Sequence, residues 1–226
     1  AGFSAQSFVL FYSSLFVVST VTFLKRYSSN FTLSIFLFVC AHGYLFSLAA
    51  MKQCTSIAIG LAAIPYALNH KWIRFAAIVL LAATFHPYIL LFLLIPILRF
   101  KPWSGGTWLA LTVIAGLTLP NIVETIVNTA ALLGDGYNAE EFIGEGVNVF
   151  RVLVASVPVL LTFLLKRRVS RSSAADNVFI NLSFLYACIM FVGLFGTANY
   201  FGRLANYFSI FPAIVLPMIL KRLSVR

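Results

Sequence analysis

His86 stands inside an apolar run, Phe85-His86-Pro87, and Lys52-Gln53 lies between two others, so polar chemistry occurs here where it is costly. Even on insertion scales a Lys or Arg at the centre of a bilayer costs about 2.5–3.5 kcal/mol, so each such residue asks for a reason. Further along, Arg151 opens an apolar run, and Asn199, Arg203 and Asn206 fall at i, i+4 and i+7, which would place all three on one face of a helix. Guanidinium groups bind phosphate oxygens bidentately and a lysine adds a point charge, while amides supply further hydrogen bonds. Lys52, Gln53, Arg151, Asn199, Arg203 and Asn206 are therefore a set suited to a phosphate or pyrophosphate, and His86 is the titratable group best placed to act as a base. Taken singly, each cation also suits a plainer role as an interface residue reaching for lipid phosphates, and a lone His at a helix break also suits a structural one.

The elements that must position these residues follow from composition. Of 226 residues, 61% are hydrophobic and 10% charged, and the mean hydropathy is +0.98, far too apolar for a soluble domain. The expectation is an all-α, polytopic transmembrane helix bundle, a multi-pass protein of the plasma membrane. A net charge of +10 is the size of a nucleic-acid footprint, but Lys and Arg come in short clusters between apolar runs, so they read as topology signals and no nucleic-acid partner is expected. Cys40, Cys54 and Cys188 lack metal-ligand spacing and read as small hydrophobes, so no metal or cofactor is expected. The first apolar run has no charged leader ahead of it, so it reads as a span rather than a signal peptide, with an N-terminal part trimmed or missing.

Residues 6–24 are long enough to cross and end at Lys25-Arg26, which marks that end as cytoplasmic. Residues 31–50 form the next span, with Ser34, Cys40, His42, Gly43 and Ser47 suited to a helix interface. Residues 55–68 return to a basic knot of His70, Lys71 and Arg74. Residues 73–98 read as two short helices meeting at His86-Pro87, because Pro87 removes a donor and disfavours helix at His86, and because a single crossing would carry Arg99 and Lys101 outside. Residues 107–127 then lead to an external loop, 128–148, which holds Asp135, Glu140, Glu141 and Glu145 without the spacing of a calcium loop. Residues 150–165 return to Lys166, Arg167, Arg168 and Arg171, residues 178–197 go out, and residues 209–220 come back to a basic tail. The sum is one transmembrane domain over 1–226 with about eight membrane-inserted segments. Of sixteen Lys and Arg, only Lys52, Arg151 and Arg203 fall outside, and if these three share one cavity, Lys52 and Arg151 should approach Arg203 closely enough for one diphosphate to touch at least two of them.

The succession Met51-Lys52-Gln53, Lys71 to Phe75, Phe85-His86-Pro87 and Arg203 to Phe208 before the last apolar run resembles the EpsG family of integral-membrane proteins of exopolysaccharide synthesis, over essentially the whole chain. Two departures stand out: the family usually has Arg where this chain has Lys52, and its members look longer at the N-terminus. The resemblance implies a role related to Wzy-type polymerases, in which a growing glycan moves from its polyprenyl diphosphate carrier to a hydroxyl of another carrier-linked repeat unit at the outer face. The chemistry of the residues fits that role: His86 and Arg203 are expected to be catalytic, and Lys52, Gln53, Arg151, Asn199 and Asn206 to bind substrate. The implied partners are a polyprenyl-diphosphate-linked oligosaccharide, membrane lipid and other exopolysaccharide synthesis proteins. A transporter or flippase component of the same pathway, and a non-catalytic membrane subunit that positions a cytoplasmic glycosyltransferase, remain as competing classes.

Overall fold

The structure, a computed structural model, describes residues 4–41, 43–109, 146–169, 172–194 and 198–224, and all regular structure among them is helical. His42, most of the expected span 107–127 and the acidic loop up to residue 145 lie outside the described residues. The chain divides into two compact units, one of residues 1–98 with 209–226 and one of residues 99–208.

In the first unit α1 (Ala5–Tyr27) starts at Ser4, whose hydroxyl accepts the Ser7 N–H, and ends with Lys25 and Arg26 in its last turn, where the helix dipole favours cations. Asn30 caps α2 (Phe31–Cys40) by accepting the Leu33 N–H, and α3 (Gly43–Ala49) follows. Next come α4 (Met51–Leu68) and α5 (Trp72–Ala83), joined by a turn in which His70 adopts φ 58°. That left-handed value past a helix end is more often taken by glycine, and it reverses the chain so that α5 packs back along α4. Hydroxyls tie these helices through backbone carbonyls: Ser13 Oγ donates to Ser47 O at 3.0 Å and Ser19 Oγ to Ala58 O at 2.9 Å. Phe16 meets Phe38 with ring centres 6.0 Å apart. Arg26 and Lys71 line one cleft. The clusters Lys25-Arg26 and His70-Lys71-Arg74 therefore share one end of the unit, and Lys52, seventeen residues before Asn69 on α4, lies about 25 Å away at the other.

The break in residues 73–98 is found where the sequence places it. The α-helix stops at Ala83, His86 is extended (φ −156°, ψ 118°), and Pro87 opens the following segment. That second arm differs from the expected α-helix: Pro87–Leu94 is a 3₁₀ segment, followed by a short one, Ile97–Arg99. With no N–H at Pro87 the α ladder cannot continue, and the tighter i→i+3 winding carries the chain past the gap. Ile89, Phe92 and Ile95 bury themselves against the unit.

In the second unit α6 (Val149–Leu164), the short α7 (Lys166–Val169) and α8 (Ala174–Val192) form a hairpin, followed by α9 (Ala198–Ala205) and a 3₁₀ turn, Asn206–Phe208. α8 starts four residues earlier than the apolar run alone predicts, because Ser173 and Asp176 form a reciprocal capping box. One end is closed by Asn181 Nδ2 donating to Phe100 O at 2.9 Å and Trp103 Nε1 donating to Thr162 Oγ1 at 3.3 Å. At the other end Val147 N–H donates to Gly193 O at 2.7 Å, and Val147, Val152, Met190 and Ala205 share a buried cluster. A Cβ on Gly146 would overlap the Leu194 carbonyl, so only glycine permits that approach.

Two helices among the described residues, Gln6–Tyr27 and Ala174–Val192, are long and apolar enough to cross a membrane, or up to four if each of two broken helix pairs counts as one span. That is fewer than the eight membrane-inserted segments expected. The apolar runs are cut into shorter helices: residues 31–50 are interrupted between Cys40 and Gly43, and α5 and α6 have only 12 and 16 residues, about 18 and 24 Å. The last helix, α10 (Pro212–Ser224), has 13 residues, and its entry also differs from expectation. Phe211 packs on Phe23 at 6.2 Å, and Ser34 Oγ donates to Ala213 O, so α10 enters level with the basic half of α1 rather than with Lys52.

Candidate functional site

Lys52 and Gln53 occupy the first turn of α4, which begins after Ala50 without a side-chain cap. Lys52 is exposed, whereas Gln53 is 4% exposed and faces the protein. An uncapped helix start presents amide N–H groups and the positive end of the dipole, so a lysine there adds to a field that already favours an anion. One turn on, Ser56 is fully buried, and its Oγ lies 3.0 Å from Ala82 O and 3.2 Å from His86 O. This hydroxyl ties the end of α5 and the extended residue at the break to α4. The antiparallel α4–α5 pair thereby brings Lys52, Gln53 and His86 to the same end of the first unit, with Lys52 about 6 Å along the axis from Ser56. The His86 ring is half-buried, 5.3 Å from that of Tyr88.

Four residues on, Gly60 holds the 3₁₀ segment close. A Cβ there would lie 2.7 Å from Ile89 Cδ1 and 3.1 Å from Phe92 Cε2. Ser56 and Gly60, which position the break, escaped the sequence reading. Their signal is the small-xxx-small spacing, which marks close helix contacts in membranes.

In the second unit Phe201, Ala205 and Phe208 recur at i, i+4 and i+7 and are buried. Arg203, about 200° around the helix from Ala205, is exposed on the opposite side. The α-helix ends at Ala205, so Asn206 lies in the 3₁₀ turn and not on the continuous helix expected; it is half-buried, and the winding keeps it on the Arg203 side because residues three apart nearly eclipse. Asn199 lies on the first turn of α9, and its side chain is outside the described residues. Arg151 is exposed in the first turn of α6 and within electrostatic reach of Tyr186 on α8. Because Val147, Val152 and Ala205 share one cluster, Arg151 and α9 occupy the same end of this unit, away from Lys166, Arg167 and Arg168.

The seven candidate residues thus fall into two groups, Lys52, Gln53 and His86 in one compact unit and Arg151, Asn199, Arg203 and Asn206 in the other. The first group is gathered at the end of its unit away from Lys25-Arg26 and His70-Lys71-Arg74, and the second at the end of its unit away from Lys166, Arg167 and Arg168. Chemically, the first offers an anion one cation, one amide and an imidazole, and the second two cations and two amides.

No curated protein and no solved structure matches the chain. The profile of the EpsG family matches residues 1–226, the whole chain. The protein therefore belongs to the EpsG family, and with its apolar helices it is a membrane protein of exopolysaccharide biosynthesis.

Proposed function

We propose that the protein is a membrane polymerase of exopolysaccharide or O-antigen-type glycan, with glycosyltransferase chemistry at the outer face of a plasma membrane. An acceptor hydroxyl on one carrier-linked repeat unit attacks the anomeric carbon of the chain on another. The glycosidic bond forms, the bond to diphosphate breaks, polyprenyl diphosphate leaves, and the hydroxyl proton passes to a base. Charge grows on the departing diphosphate, so cations fixed at that depth lower the barrier without a metal or nucleotide. Arg203 and Arg151 serve this role in the second unit and Lys52 in the first, the amides of Gln53, Asn199 and Asn206 orient the carriers, and His86 takes the proton. The observation that supports this reading is the convergence of the Lys52–Gln53 pair and His86 at one end of the α4–α5 hairpin, across the Ser56 contact.

The test is polymer length in cells that carry variants at matched expression. Arg203→Lys keeps the charge but loses the planar fork and is expected to shorten the polymer markedly, and Arg203→Ala to abolish it, with the protein still in the membrane. Normal long chains from Arg203→Ala would reduce this residue to an interface anchor and remove the main support of the mechanism.

A transporter or flippase component is the second reading. It is favoured by the interruption between α2 and α3, a discontinuous apolar segment in addition to the one broken at His86. Where the single carrier-linked unit accumulates in Arg203→Ala cells separates the two: outside for a polymerase, inside for a flippase.

A further inference from the structure

At the basic end of the first unit, a cleft of about 500 Å³ opens between α1 and α4. Its α1 wall carries Ser19, Thr22 and Arg26, which recur at i, i+3 and i+7 and so form one stripe. Leu61, Ala62, Pro65 and Tyr66 supply the facing wall, and Lys71 closes the rim from the start of α5. From Arg26 to Ser19 the stripe descends seven residues, about 10 Å along the helix. The cleft therefore has two cations at its mouth, hydroxyls and an apolar wall below, and no carboxylate among its lining residues. Ser19 already donates to Ala58 O, so the deep part is closed to strong polar demand and open to hydrocarbon. Lys71 also lines a neighbouring hollow with Trp72 and Arg74, and this amphipathic ring beside two cations is the composition of a membrane–water boundary.

We propose that this cleft binds an acidic phospholipid of the leaflet on the side of the Lys25-Arg26 and Lys71-Arg74 clusters, its phosphate held by Arg26 and Lys71 and the first part of one chain lying along Ala62, Pro65 and Tyr66. The basic rim selects for negative head groups, since Lys and Arg at the surface of an anionic leaflet are attracted to its phosphates. The site lies at the opposite end of α4 from Lys52, so it is separate from the groups assigned to glycan transfer, and its loss and theirs are distinguishable.

The test is native mass spectrometry of the full chain, purified in detergent and titrated with dioleoyl phosphatidylglycerol, dioleoyl phosphatidylcholine, farnesyl monophosphate and inorganic phosphate. The wild type is expected to retain one phosphatidylglycerol at least tenfold more strongly than phosphatidylcholine, and inorganic phosphate at millimolar concentration is expected not to displace it. Arg26→Gln with Lys71→Gln should remove that preference. Ala62→Trp, which fills the apolar wall and leaves both cations, should weaken retention of either lipid at least tenfold. Both variants are to elute as folded monodisperse protein with unchanged helical circular dichroism, and substitution to Arg26→Lys with Lys71→Arg, which keeps the charge, should restore the preference. Equal retention of the two lipids by the wild type, retention unchanged in both variants, displacement by inorganic phosphate, or a stronger hold on farnesyl monophosphate than on phosphatidylglycerol would each overturn the proposal.

Discussion

Ser56 carries more of the candidate site than its size implies. Its single hydroxyl faces the Ala82 and His86 carbonyls where the helix gives out, and there the backbone donors are few: Ala82 O accepts from the Phe85 amide at 3.1 Å and the His86 amide at 3.4 Å, and His86 O from the Ile89 amide at 3.3 Å. Side-chain hydrogen bonds in membrane proteins average about 0.6 kcal/mol and reach about 1.7. Ser56→Ala is therefore expected to destabilise by about 0.6–1.7 kcal/mol, because it removes the tie from α4 to the break while Ala82 O and His86 O keep their backbone donors. The check is a thermal melt in detergent beside polymer length in cells. The midpoint should fall by a few degrees and the polymer should shorten, since His86 is set by its backbone; an unchanged midpoint and normal polymer would mean that packing alone fixes the break. His86→Asn adds a second reading at the same place. It keeps a polar side chain of similar reach but cannot accept and release a proton near neutral pH, so it should reduce polymer length without lowering the melting midpoint.

At the scale of elements, the contact between α4 and the 3₁₀ segment Pro87–Leu94 depends on the missing side chain of Gly60. Ala there meets the flexible end of Ile89, which can yield, so Gly60→Ala should be mild; Gly60→Leu must displace Ile89 and Phe92 and is expected to cost about 1–3 kcal/mol, seen as a lower melting midpoint. The segment itself illustrates what a sequence discloses. The break at His86-Pro87 was legible because a proline removes a specific donor, and the charge clusters were legible because lysine and arginine are costly on the wrong side. The 3₁₀ form of the second arm was not, since an apolar run such as Tyr88 to Leu94 suits either winding and only the packing of Ile89, Phe92 and Ile95 decides. The interruption between α2 and α3 carries no proline, and the entry of α10 beside Phe23 and Ser34 is a long-range contact that periodicity does not encode. Within the candidate site, cations could be picked out by their cost, whereas Ser56 and Gly60 were hidden as ordinary small residues.

For the whole molecule, the reading of function depends on which way the bundle faces. In the first unit Lys25, Arg26, Lys71 and Arg74 mark one end, and Lys52 lies at the other with Ser56 and the break beside it. Positive charge favours the cytoplasmic side, so the Lys52 end is expected outside, where carrier-linked glycan is joined. Both Lys52 and Asn69 are exposed, and they bracket α4, so a cysteine at each reports one end of the same helix. After Cys40, Cys54 and Cys188 are replaced, Lys52→Cys and Glu141→Cys should react with an impermeant maleimide in right-side-out vesicles, and Asn69→Cys only after permeabilisation. Cys54 is buried, with its Sγ 3.8 Å from Phe46 O, so alanine rather than a larger residue should replace it. Labelling of Asn69→Cys before permeabilisation and of Lys52→Cys only after it would invert the bundle. Lys52, Gln53 and His86 would then face the cytoplasm, and outer-face polymerisation by these residues would have to be abandoned.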